Sequence, residues 1–211
     1  MIYGYTFLDN DTLSSINEGV LTHNEDTKKF RSGLKELLDD IKSRTSGFEK
    51  LGKLGKKYND QYRSEVIKFI NSNTDKYYTS TVMTIVTTSN GVEVGKNYLE
   101  YFTCVIKDTI IYFAVQYFST KVSLYGSMSD YDINKYNIPR DIIEYCIDNA
   151  PKNLKLTFGK NFVSLNSPYD AINALKTSFP KQLKQYVESK HSDYEVDIPK
   201  VLSRKIKIKK K

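Results

Sequence analysis

Between residues 71 and 77 the spacing of apolar side chains changes its period, and this switch constrains the fold more than any other feature of the 211 residues. Upstream, Phe30, Leu34, Leu37, Leu38 and Ile41 recur at helical intervals, as do Phe48, Leu51, Tyr58, Tyr62, Val66 and Phe69. Such spacing puts each set on one face of a helix. Downstream, YYTSTVMTIVTT (77–88) is Thr-rich, β-branched and alternating, which suits a pleated, half-buried strand. Helices followed by a run of strands predict an α+β fold, with helices segregated from an antiparallel sheet.

Local signals fill in this outline. Thr22 with Glu25, and Ser46 with Glu49, form capping boxes ahead of the two helical runs, so 22–71 reads as an antiparallel helical hairpin. Asn90-Gly91 is expected to make a two-residue turn between strands. NYLEYFTCVI and TIIYFAVQYFS flank a second turn at Lys107-Asp108, giving a meander over 77–125. MIYGYTFL, ended by Asp9-Asn10-Asp11, reads as a short strand. Pro139 opens a helix through Ile142, Ile143, Cys146 and Ile147 that stops at Asn149-Ala150-Pro151. LKLTFGKNFVSL turns back at Gly159-Lys160-Asn161. A last helix starts near Ser167, Pro168 and Asp170, runs through Ile172 and Leu175, and is kinked or restarted at Pro180, making 139–190 helix, hairpin, helix. The expectation is one α+β domain over 1–199 and a basic extended tail over 200–211.

The net charge of +7 belongs to that tail. Lys200, Arg204, Lys205, Lys207, Lys209, Lys210 and Lys211 are seven cations without an acid, and 25 basic and 25 acidic residues remain in 1–199. Lysine outnumbers arginine 27 to 5, and lysine lacks the planar fork that reads guanine edges, which argues against sequence-specific base reading. Abundant Lys, Ile, Asn and Tyr without Trp fit an AT-rich genome, such as that of a phage or large virus. Cys104 and Cys146 sit in apolar surroundings without paired spacing and read as buried thiols in a reducing compartment. The longest apolar run, Ile110 to Val115, is far short of the ~20 residues of a membrane helix. The opening residues lack a positively charged leader, so no membrane insertion is expected and the expected location is the cytoplasm, or host cytoplasm or virion for a viral protein.

Candidate chemistry is sparse. GFEKLGKL (47–54) matches a phosphate-binding loop up to its last position, where Leu54 replaces the magnesium-holding Ser or Thr, and helical sequence flanks it on both sides. His23 and His191 have no second ligand at metal spacing, and His191 reads as a loop residue. Asp130 and Asp132 follow the last expected strand, where a metal-dependent phosphotransferase could place ligands, yet acid pairs in loops are commonly solvated surface. Tyr98, Tyr101, Phe102, Tyr112, Phe113, Tyr117 and Phe118 read as core rather than as a stacking platform. No catalytic residue, metal or cofactor is therefore assigned.

Two functions from different classes remain. The first is a non-enzymatic structural or assembly protein, a phage or viral virion component being the special case. It would engage other protein subunits, as an oligomer or larger assembly, through sheet edges, aromatic surface and tail. Alternation in Arg204, Lys205, Ile206, Lys207 and Ile208 would let the tail lie extended against a sheet edge or partner surface as an added strand, with Lys209, Lys210 and Lys211 solvated or facing an acidic or phosphate surface. The second is nonspecific nucleic-acid binding by the tail together with a basic patch of Lys50, Lys53, Lys56 and Lys57 on the second helix.

Overall fold

A computed structural model describes residues 25–45, 55–87, 90–91, 93–118, 121–199 and 205–211. The fold is α+β, with helices and two antiparallel sheets. The described residues fall into two compact units, one within His23–Asp130 and one within Tyr131–Lys211. Both helical capping boxes, the strand expected in MIYGYTFL and the loop-like GFEKLGKL lie wholly or partly outside the described residues. Among the described residues, no helix is long and apolar enough to cross a membrane.

In the unit His23–Asp130, helix α1 (Glu25–Thr45) carries Glu25 and Asp26 in its first turn and Lys42 and Arg44 in its last, matching the helix dipole. Helix α2 spans Gly55–Asn73. Strands β1 (Lys76–Thr87), β2 (Glu93–Ile106), β3 (Thr109–Phe118) and β4 (Lys121–Asp132) form a four-stranded sheet in that order. The expected stripe is core: Phe30, Leu34, Leu38 and Ile41 of α1 and Tyr62, Val66 and Ile70 of α2 pack with Phe102, Cys104, Ile111, Phe113 and Val115 of the sheet. Phe102 and Phe113, cross-strand partners, stack at 5.1 Å. Gly33 permits the close helix approach, since a Cβ there would come within 3.0 Å of the Phe69 ring.

One turn falls where the sequence places it, and one strand runs longer than expected. Lys107-Asp108 is a two-residue turn between the pair Ile106 and Thr109, with Lys107 at φ +53°. Gly91 has φ +75°, the left-handed conformation expected of it, and the last described pair of its ladder is Thr87 with Glu93, past a register shift at Val86/Thr87. The last strand continues past Tyr125 to Asp132, because Asp130 points inward to a partner instead of ending the strand in solvent. Val105, Ile110 and Ala114, in the opposite row from Phe102, are buried too. The central strands are thus apolar on both faces, as near-continuous hydrophobic runs require.

In the second unit, a 3-10 turn (Ile133–Lys135) leads to α3 (Arg140–Asn149), with Pro139 before its first residue and Ile142, Ile143, Cys146 and Ile147 buried. Strands β5 (Lys155–Gly159) and β6 (Phe162–Asn166) make the expected hairpin about Lys160-Asn161. The segment after Pro168 is a 3-10 helix, Tyr169–Lys176, and α4 (Phe179–Lys190) restarts with Pro180 in its first turn. Strands β7 (Tyr194–Asp197) and β8 (Lys205–Lys210) complete a sheet of order β5-β6-β8-β7.

Candidate interaction surfaces

The residues expected to form a basic tail form an internal strand. Strand β8 pairs antiparallel with β6 on one edge and with β7 on the other. Ile206 lies opposite Leu165; Ile208 lies opposite Val163 and Val196, and both isoleucines are buried. The alternation seen in the sequence is that of a strand, but its backbone groups are paired within the chain on both sides, so the expected addition of this segment to a partner's sheet has no free edge to use. On the other face, Lys209 pairs with Glu195 at 3.0 Å and the Lys207 ammonium lies 4.3 Å from the Phe162 ring centroid. Lys211 donates from its backbone N–H to the Asp193 carbonyl at 2.9 Å. Lys210 is exposed at the strand end. Arg204, Lys50 and Lys53 lie outside the described residues, and of Lys56 and Lys57 only the α2 backbone is described.

The two aspartates weighed as metal ligands have separate tasks. Asp130, fully buried, forms an ion pair with Arg31 of α1. Asp132 caps the following 3-10 turn, accepting from the Asn134 N–H at 3.0 Å. Beside Arg31, α1 and β4 leave a cavity of about 450 Å³ whose lining includes Leu34, Leu38, Val122, Leu124 and Met128 together with Lys35 and Lys42.

A second buried carboxylate escaped the sequence reading. Glu100 stands in the core-facing row of β2 with Phe102 and Cys104, wholly buried. Arg63 of α2 grips it with two hydrogen bonds, Nε to Oε2 at 3.0 Å and Nη2 to Oε1 at 2.7 Å, and Thr79 and Thr81 donate to Oε1 at 2.9 and 3.2 Å. Burial, then the Glu100 charge, hold the nearby Tyr117 phenol well above its ordinary range, and its hydroxyl has no hydrogen-bond partner. An acid at an even position among Phe102, Cys104 and Ile106 was the available signal, since a charge in a buried row needs a partner.

His191, expected in a loop, follows the last residue of α4 and contacts Asp141 of α3, Nε2 to Oδ2 at 2.9 Å. Tyr186 donates to the same oxygen at 2.9 Å and stacks on Tyr145 at 4.0 Å. Burial and the Asp141 carboxylate push the Tyr186 phenol up to about 12. Both cysteines are buried thiols; burial alone raises Cys104 and pushes Cys146 up to about 12, which leaves them little thiolate for nucleophilic work.

Open edges are the remaining feature. Among the described residues, β1 and β4 bound the first sheet and β5 and β7 the second. Pairing of β2 with β3 ends at Asn97 and Phe118, whereas β1 and β2 continue pairing to Thr87 and Glu93, so the β1–β2 ribbon runs past β3. On that end of β1, Met83 is 49% and Ile85 55% exposed. Comparison of the chain with protein-family models, curated proteins and solved structures returned no match.

Proposed function

We propose that the chain is a non-enzymatic assembly protein that joins copies of itself by extending the β1–β4 sheet at its open edges. The observation that carries this reading is β1: twelve residues long, at an edge, and without charge or proline from Tyr77 to Thr87. Natural edge strands are ordinarily blunted by lysine, proline or short length, because their free N–H and C=O groups template pairing. Among the described residues the open edge carries no such device, the register shift at Val86/Thr87 lying in the ladder with β2, and Met83 and Ile85 stand exposed on this strand.

The opposite edge offers a complement. Met83 lies opposite Tyr98, which packs with the helix-covered core, so Met83 and Ile85 share the face of the sheet that α1 and α2 cover. Val122, Leu124 and Met128, in the lining of the α1–β4 cavity, face the same way. β4 begins three residues after Phe118, so its start lies at the end of the sheet where Tyr98 pairs with Tyr117, the end that carries Met83 on the opposite edge. A second copy stepped along the sheet would set its β1 beside β4 and its Ile85 against Leu124. Such a head-to-tail contact closes into rings or continues as filaments, and a virion component is the special case that the composition fits.

The test uses two variants of the full chain, Met83→Lys/Ile85→Lys and Leu124→Lys, followed by light scattering. The parent should assemble with rising concentration, each variant alone should stay monomeric, and their equimolar mixture should stop at a dimer, because one sound edge remains on each. A parent that is monomeric at all concentrations sinks the proposal.

A further inference from the structure

We infer that the lysine-bearing side of the β5-β6-β8-β7 sheet, on which Lys205 and Lys209 are exposed and Ser164 is buried beneath its neighbours, is a binding surface for single-stranded nucleic acid, independent of the edge contact proposed above. Residues directly opposite in an antiparallel ladder share a face, which sets Lys205, Lys207 and Lys209 of β8 beside Asn166, Ser164 and Phe162 of β6. The three lysines stand about 7 Å apart along the strand, a repeat close to that of phosphates in an extended single strand. The acids of this face, Glu195 and Asp197, both lie on β7 at its edge. Glu195 holds Lys209 and Asp197 lies opposite Lys207, but β5, β6 and β8 themselves carry no acid on this face, so a polyanion can lie over β8 and β6 with the acids to one side.

Phe162 supplies what a purely electrostatic surface lacks. Its ring lies over Gly159, where a Cβ would come within 2.4 Å of it, so the glycine is the seat that lets the ring lie down on the sheet. The Lys207 ammonium sits 4.3 Å from its centroid. One side of the ring rests on Gly159 and the Lys207 ammonium covers it from the other, so a base takes the place of Lys207 on the ring while Lys207 moves to a phosphate, and neither contact reads sequence. Lysine in place of arginine again points to backbone contact over base-edge recognition. A duplex would hide its bases from the ring, which is why the occupant is a single strand.

The experiment titrates the full chain into fluorescein-labelled oligothymidylate over a salt series and reads anisotropy. Phe162→Leu, which keeps apolar bulk over Gly159, should weaken binding about tenfold, and Phe162→Tyr should bind like the parent. Lys205→Gln/Lys207→Gln should lower the slope of log affinity against log salt by about 1.4, from two lost phosphate contacts, with Lys209 left on Glu195. Thermal unfolding of each variant confirms that it is folded. The inference is overturned if the parent fails to bind at the lowest salt, if Phe162→Leu binds like the parent, or if polyglutamate competes as well as the oligonucleotide, which would mark a general anion surface.

Discussion

Glu100 costs its strand a desolvated charge, and the structure offsets that cost with Arg63, Thr79 and Thr81 converging on one carboxylate. Paired buried ions contribute little net stability, whereas a buried ion stripped of its partner is strongly destabilising. Arg63→Met should therefore destabilise the unit by about 3 kcal/mol, part of the penalty being averted by the water that already reaches the half-exposed guanidinium. Adding Glu100→Gln should recover much of that loss, because the amide can keep the threonine bonds without a charge. Urea unfolding of the two single variants and the double variant closes the cycle, and a double variant no more stable than Arg63→Met would contradict this account. Glu100 went unread although it stands in the row of Phe102 and Cys104, and its partner lies 37 residues away on a helix, a contact of which sequence spacing carries no sign.

At the scale of elements, the clamp between α3 and α4 ties stability to pH. Burial works to raise the Asp141 carboxyl, and hydrogen bonds from His191 and Tyr186 outweigh it, so the group is held below the ordinary aspartate range. A carboxyl depressed on folding contributes stability that is present above its unfolded pKa and is lost as pH falls through its folded pKa. Asp141→Asn should accordingly lower the urea midpoint at neutral pH, and the gap to the parent should close on acidification through that window; a constant gap at all pH values would show that the carboxylate charge contributes nothing there. The helices themselves were readable from periodicity and from Pro139 and Pro180, as were the turns at Lys107-Asp108 and Lys160-Asn161. The misread end of β4 had a local cause, an aspartate that continues the strand because Arg31 neutralises it.

The whole molecule departs most from its sequence at residues 200–211. Composition shows seven cations, and charge runs are commonly solvated, yet Ile206 and Ile208 are buried between Leu165, Val163 and Val196. Alternation revealed that 205–208 has two faces; it could not reveal that the apolar face belongs to a sheet whose other strands begin fifty residues earlier. The same long-range pairing makes Tyr131–Lys211 part of a unit separate from His23–Asp130. Removing 200–211 should then act as loss of a central strand. Burying an isoleucine is worth about 1.5–3 kcal/mol, so two of them and both ladders approach the entire stability of a small domain, roughly 5–15 kcal/mol. A chain of residues 1–199 should lose β7 as well, since β7 pairs only with β8 among the described strands. The unit His23–Asp130 keeps all of its described pairings in that truncation. Limited proteolysis should digest the truncated chain from Tyr131 onward while sparing a fragment near 23–130, and amide exchange should show protection confined to α1, α2 and β1–β4. Ile206→Ser/Ile208→Ser in the full-length chain should reproduce the pattern with every lysine retained, which separates packing from charge. A 1–199 chain that resists protease throughout its length would mean that the strand order β5-β6-β8-β7 does not hold the second unit together.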